Sequence, residues 1–306
     1  MSSMALWVTG SSGFVGIHLT AYLTSNNREF SCISRALGTE DVKFPERCDC
    51  VIHLAGRAHI LKDLAKDPLK EFRAANCDYA LHIAREAFSR GMKRFVYVST
   101  IGVYGLSESA NSIVEDSVLA PIEYYAQSKY EAEIKLRKLS ELLNFQLVIV
   151  RPSLVYGGNA PGNIRRIFNL INHIPVIPIA ERNNSRSFVY VDNLVHFLVL
   201  VCDHDAAIGQ VYNIADDPIS TRQMVRGFSK GMNKRRLMFG LQKTLAKWLF
   251  LLLGREKMYQ QLFESLVLDM TKAEKELGWR QVIDTDTALF EAGQEFMRIQ
   301  KTADLL

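Results

Sequence analysis

The strongest constraint on the fold is a glycine-spaced turn, Thr9-Gly10-Ser11-Ser12-Gly13-Phe14-Val15-Gly16, which follows a short apolar run from Ala5 to Val8 and opens a helical pattern. Glycines at positions 10, 13 and 16 permit a tight turn, the close approach of a pyrophosphate, and close packing of helix on strand. The free amides and the positive end of the helix dipole then favour an anion. This context points to a dinucleotide held by Gly10, Ser12, Gly13, Phe14, Val15 and Gly16.

The first half of the chain repeats the strand-helix rhythm. Strands are expected at Ala5 to Val8, Phe30 to Ser34, Cys50 to Leu54, Arg94 to Ser99 and Gln146 to Val150. Helical patterns fall at Gly13 to Thr24, Pro68 to Arg90 and Tyr124 to Leu143. Short apolar runs alternating with longer helices predict a Rossmann-type, doubly wound parallel α/β sheet. After Arg151 and Pro152 comes a loop rich in Gly, Asn and Pro, suited to the rim of a cleft, and Val211 to Ala215 returns to the sheet. With 306 residues, the chain exceeds one compact core. Residues 1–165 plus about 185–215 are expected to form the dinucleotide-binding domain. Residues about 166–184 plus 216–306 are expected to form a smaller, mainly helical substrate-binding lobe.

Composition excludes several classes. A net charge of +4, with both signs interspersed, gives no reason to expect nucleic acid. The five cysteines are scattered without metal-ligand spacing, which predicts no metal and reduced thiols. The early apolar run ends at Thr9-Gly10 and does not read as a secretory signal, so a cytoplasmic location is expected. Trp248 to Leu253 is far below the roughly 20 residues of a membrane span and reads as a helix packed on the core or over a cleft, with a subunit contact, a cleft lid or a weak membrane-surface association as alternatives.

At the end of the second strand stand Ser34 and Arg35, where a carboxylate would grip a ribose 2′-hydroxyl. A guanidinium has no acceptor but pairs well with a 2′-phosphate, so NADP is the first choice of cofactor and NAD the alternative. Tyr125 and Lys129 lie on one helix face, where an ammonium lowers the pKa of a phenol and equips it for proton transfer. Ser99 and Thr100 place hydroxyls at the carboxyl end of a strand, beside the ligand crevice of such sheets.

With these residues in view, the chain resembles extended short-chain dehydrogenases/reductases of the UDP-galactose 4-epimerase type. The glycine turn, VIHLAG (51–56), VSTIGVYG (98–105), YAQSK (125–129), RPSLVYG (151–157), SRSFVYVDNL (185–194) and DMTKAEKELGW (269–279) occur in family order and span almost the whole chain. The resemblance implies that Tyr125 is the acid/base, that Lys129 orients it and holds the nicotinamide ribose, and that Thr100 hydrogen-bonds the reacting oxygen. It also implies that Leu54, Ala55, Gly56, Asn76, Ser99 and Pro152 line the cofactor. Asn163, Arg165 and Arg186 would contact a UDP-sugar, although Arg186 paired internally with Asp192 is an alternative. His53 is expected to be structural. Ile101 and Gly102 replace the Asp-Glu pair that dehydratases of this superfamily carry, so dehydration is not expected. Tyr79 and Ala80 depart from the family's Asn-x-x-Gly-Thr helix, which concerns packing near the cofactor.

The resulting expectation is 4-epimerisation of a UDP-hexose or UDP-N-acetylhexosamine in surface-polysaccharide synthesis. An NADPH-dependent 4-ketoreductase uses the same residues, and a non-catalytic dinucleotide sensor or scaffold is a third possibility. A homodimer is expected through the helices Pro68 to Arg90 and Tyr124 to Leu143.

Overall fold

A computed structural model describes residues 5–33, 44–58, 65–178, 184–240, 248, 251–252 and 264–303. Strands β1 (Leu6–Thr9), β2 (Phe30–Ile33), β3 (Cys50–His53), β4 (Arg94–Val98), β5 (Gln146–Pro152) and β9 (Val211–Ile214) form one sheet in the order β2-β1-β3-β4-β5-β9. Every pairing in it is parallel.

The strand sequences explain why helices cover both faces. Successive side chains alternate sides, and these strands are apolar at both sets of positions, as buried parallel strands are. Leu6, Val8, Val96, Val148 and Val150 face a core completed by α1 (Phe14–Ser25) and α6 (Val191–Asp203) through Leu19, Leu23, Leu194 and Phe197. Trp7, Phe95, Tyr97, Leu147 and Ile149 face the opposite core, closed by α3 (Tyr79–Phe88) and α4 (Tyr124–Leu143) through Ile83, Ala87, Leu136 and Leu139. The doubly wound architecture follows directly.

The helix expected from Pro68 to Arg90 runs unbroken from Pro68 to Phe88 but widens for one turn in its middle. α2 (Pro68–Arg73) runs into a π turn at Ala74–Asp78 before α3 begins. Asn76, fully buried, sits in this widened turn. Turns of this kind are frequent at functional sites.

A second cluster of side chains joins α5 (Asn163–His173), α7 (Thr221–Gly231) and a long terminal helix, α9 (Thr285–Ala303), through Phe168, Phe228 and Phe296. The second half is less purely helical than its sequence suggests. Short strands β6 (Leu154–Tyr156) and β8 (Phe188–Tyr190) pair with each other, as do β7 (Val176–Pro178) and β10 (Leu237–Phe239). α8 (Thr271–Leu277) packs back on the sheet, where Trp279 meets Phe197 edge-on at 5.1 Å. Trp248, Leu251 and Leu252 are exposed, so they are not packed on the core as one of the two expectations had it. The rest of Trp248 to Leu253 lies outside the described residues.

Glycine at position 16 is dictated by contact between helix and strand. A Cβ there would run into the carbonyl oxygen of Gly10 and lie 2.7 Å from the Cα of Ser11. Gly16→Ala is expected to cost at least about 1–3 kcal/mol in urea unfolding, since neither backbone segment can yield.

Candidate active site

In a sheet ordered 2-1-3-4-5, connections leave β1 in one direction and β3 in the other, opening a crevice between their carboxyl ends. Both loops here are built for close approach. Gly10 has φ +70°, and a Cβ on it would lie 2.7 Å from the amide nitrogen of Ala55. Ala55 N–H in turn donates to Thr9 Oγ1 at 3.2 Å.

The amino end of α1 has Gly13 as its cap residue, with no side-chain cap and no acid in the first turn. Ser12 and Gly13 are exposed, while Phe14 and Val15 turn into the cores. Uncapped amides at a helix start suit an anion. A cavity of about 420 Å³ opens beside them, lined by Gly10, Ser12, Ile33, Gly56, Arg57 and Tyr79 among others. These features fit the phosphate-bearing part of a dinucleotide. Arg57 is not anticipated in this role, its signal being position alone, one residue after VIHLAG. Tyr79, read from the sequence as a departure that concerns packing near the cofactor, lines the cavity itself. Ser34 and Arg35 lie outside the described residues.

Lys129 ties this crevice to α4. Its Nζ donates to the carbonyl of Val98 at 2.9 Å and lies 4.8 Å from the centre of the Tyr97 ring. It also lies 3.4 Å from where a Cβ of residue 56 would be. Burial lowers its pKa to about 8, against the opposing influence of Glu133. One helical turn earlier, the Tyr125 ring meets Phe72 edge-on at 6.4 Å. Thr100 Oγ1 accepts from Gly102 N–H at 3.1 Å, and a Cβ on Gly102 would lie 3.3 Å from the Cβ of Ala126. Thus Thr100 and the start of α4 share the carboxyl edge at which Lys129 is anchored.

The electrostatics of Tyr125 differ from the sequence expectation. Burial pushes its pKa up to about 12 rather than down. The lysine is engaged with a strand carbonyl and is itself poorly solvated, so its charge does not offset the desolvation of the phenolate.

Asn76 acts as a clasp. Its Oδ1 accepts from Arg57 N–H at 2.6 Å, and its Nδ2 donates to Ser128 Oγ at 2.9 Å. Ser128 donates to the carbonyl of Tyr125 at 2.7 Å. The loop after β3 is thereby joined to α4. Since the amide is occupied on both sides, Asn76 holds the loop instead of presenting its side chain to the crevice.

Ser99 also turns inward. Its hydroxyl donates to Glu133, whose carboxylate accepts from Arg151 Nη2 at 2.7 Å and Nε at 3.1 Å. Arg151 Nη1 donates to Tyr104 Oη at 2.9 Å, and Tyr104 donates to Asn213 at 2.8 Å. This buried network separates the two candidate hydroxyls: Ser99 belongs to the core, and Thr100 is left at the crevice. Sequence reasoning missed it, although Glu133 stands four residues after Lys129 and Arg151 opens the RPSLVYG segment. Pro152 is buried at the end of β5.

His53 is fully buried, stacked between Phe95 and Tyr97, with Nδ1 3.0 Å from Thr9 Oγ1. Desolvation holds its pKa well below the usual value. A neutral, enclosed imidazole is structural. Among the described residues no cluster of His, Cys, Asp and Glu could hold a metal ion.

The expected substrate residues are less tightly gathered. Asn163 accepts from Arg166 at 3.3 Å, and the Arg165 guanidinium lies 5.1 Å from the Phe296 ring. Arg186 Nη1 donates to the carbonyls of Ser107 and Glu264, each at 3.2 Å, and burial lowers its pKa to about 10. Asp192 is instead paired with His18 at 2.7 Å.

Comparison with known proteins bears on the fold and the family. The model of the NAD dependent epimerase/dehydratase family matches residues 6–215. The chain is 28% identical to the UDP-glucose 4-epimerase of Vibrio cholerae, over 96% of each chain. The UDP-glucuronic acid 4-epimerase of Bacillus cereus, solved with NAD, superposes with a TM-score of 0.76 at 20% identity, covering 98% of this chain and 99% of that one. The RMD structure from Pseudomonas aeruginosa, complexed with NADPH, gives 0.74 at 21%, covering 97% and 100%.

The Glu133–Arg151 pair is almost fully buried, with side-chain exposures of 2% and 3%. Glu133→Ala, which strands the guanidinium, is expected to lower unfolding free energy by about 3–5 kcal/mol in urea titration.

Proposed function

The chain belongs to the NAD dependent epimerase/dehydratase family of extended short-chain dehydrogenases, and from that membership we propose that it is a 4-epimerase of a UDP-hexose or UDP-N-acetylhexosamine. The observation that carries this reading is the anchoring of Lys129 between the Val98 carbonyl and the Gly56 loop, with Tyr125 one turn away and Thr100 on the same edge. A nicotinamide dinucleotide, held by the glycine turn, the Leu54-Ala55-Gly56 loop and Lys129, supplies hydride acceptance and return.

In this reading the chain's own residues manage the proton. Tyr125 Oη exchanges it with the sugar's 4-hydroxyl while Thr100 Oγ1 holds the same oxygen. Lys129, charged below about pH 8, provides the positive charge that favours the phenolate as the proton moves. Asn163, Arg165 and Arg186 bind the UDP portion.

Two departures support epimerisation over dehydration. Ile101 and Gly102 cannot transfer protons, and the 3.3 Å approach of a residue-102 Cβ to Ala126 leaves little room for an acidic side chain. For the cofactor we favour NADP over NAD on the strength of Arg35 in the sequence; Arg57 lines the described cavity but lies 3.9 Å from Glu71, which lines it too. The mass of the dinucleotide released from purified protein tests that preference.

Purified holoenzyme is expected to interconvert UDP-glucose and UDP-galactose, or their N-acetyl counterparts, with no cofactor added. Silence until a UDP-4-keto sugar and NADPH are supplied would instead establish a 4-ketoreductase. Tyr125→Phe is expected to reduce kcat by about 10²- to 10⁴-fold. Unchanged turnover or cellular function in that variant would favour a dinucleotide sensor.

The pH profile follows from Lys129. Its ammonium is lost as pH rises through about 8, so kcat/KM should fall on the alkaline side of that value. A Lys129→Met enzyme, slower throughout, should lack this limb.

A further inference from the structure

The small sheet of β7 and β10 has an unusual outer face. The strands run parallel, with Leu237 opposite Val176 and Phe239 opposite Pro178. Ile177 and Met238 point inward to the core of the second lobe. Val176, Leu237 and Phe239 point outward, and Leu237 is 72% exposed. A one-sided sheet in water ordinarily places polar residues there. Nine residues beyond Phe239 comes Trp248, 67% exposed, followed by exposed Leu251 and Leu252. Their i, i+3, i+4 spacing places them on one side of a helical turn.

The charge of the same stretch is equally one-sided. Between Asp217 and Glu256 the sequence contains nine Lys and Arg and no carboxylate. Because the whole protein carries only +4, the remainder has an excess of carboxylates. Arg236 is engaged, donating to the carbonyls of Ile171 and Asn172 at the end of α5. Arg235, beside Leu237 in the outward series, is exposed.

We propose that the apolar face of Val176, Leu237 and Phe239, together with Trp248, Leu251 and Leu252, docks the protein on an anionic membrane surface. Exposed Leu, Phe and Trp enter the boundary between headgroups and acyl chains, and Arg235, exposed beside Leu237, meets lipid phosphates. Trp favours that boundary. A second copy suits the face poorly, since two-fold pairing sets each basic strip against its equivalent. Nucleic acid would satisfy the charge but leave the apolar residues unused. Among the described residues no helix is long and apolar enough to cross a membrane. Docking on the surface is therefore the mode that matches both features. It does not depend on the epimerase reading.

The full-length protein is to be mixed with vesicles of phosphatidylcholine alone or with added phosphatidylglycerol, and sedimented. Binding should require phosphatidylglycerol and weaken with salt. Trp7 and Trp279 are buried, so quenching by brominated lipid reports on Trp248, the third tryptophan of the chain. That quenching should accompany binding. Leu237→Ser/Phe239→Ser should weaken partition by roughly tenfold or more, with thermal unfolding confirming that the variant remains folded. The proposal is overturned if wild-type protein ignores phosphatidylglycerol vesicles, or binds neutral ones equally well. Binding without Trp248 quenching also overturns it. So does self-association in light scattering, abolished by the double variant, in the absence of vesicle binding; a second copy would then be the occupant.

Discussion

Taking a primary amine out of water among the ends of parallel strands is unfavourable, and much of the surrounding structure serves to hold Lys129 there. The Val98 carbonyl accepts its hydrogen bond, the Tyr97 ring offers a π face, and Glu133 counters the desolvation from one turn further along α4. Glu133 is fixed in turn by Arg151 and Ser99. Asn76 clamps the Gly56 loop to Ser128, which is bonded to the backbone of Tyr125. Loop, helix and strand end are thus mutually determined. A positioned site of this kind owes its accuracy to the residues behind it.

The same logic explains what could be read in the sequence. Strand alternation was legible because both sets of positions in Leu6–Thr9 or Arg94–Val98 are apolar, a pattern that requires layers on both sides. The glycine turn was legible because its spacing follows from contact distances that no Cβ tolerates. By contrast, the π turn at Ala74–Asp78 leaves only a faint mark on helical periodicity, since a single widened turn slips the pattern by just one residue. The inward rotation of Ser99 was hidden too. Ser99 and Thr100 are chemically alike, and only the partner network beneath the sheet distinguishes them.

The second half resisted reading for a different reason. Strands of three residues, such as Val176–Pro178 and Leu237–Phe239, are too short to establish a period of two. Trp248 and its leucine neighbours read as a helix packed on the core or over a cleft because apolar residues are usually covered; exposure is a property of the assembled surface. The pKa of Tyr125 illustrates the same limit. Spacing on α4 placed an ammonium near a phenol, but the direction of the shift depends on how much water each loses and on where the ammonium's hydrogen bond goes.

These two pKa values constrain how the proton can be handled. A phenol raised to about 12 is protonated at neutral pH, and an amine lowered to about 8 remains largely charged there. Before substrate binds, the pair therefore stores its proton on the tyrosine. Removing a proton from a sugar hydroxyl requires that order to be reversed, through positive charge brought close to the phenol and water excluded as the crevice fills. The neighbouring positions cannot do this work: His53 is held neutral inside the sheet, and Ile101 and Gly102 carry no titratable group. In the proposed reaction proton transfer among the described residues rests on Tyr125, which suits a reaction that takes a proton from one oxygen and returns it to the same one. A reaction that must also deprotonate carbon and expel hydroxide needs further acid and base groups, and residues 101 and 102 do not provide them.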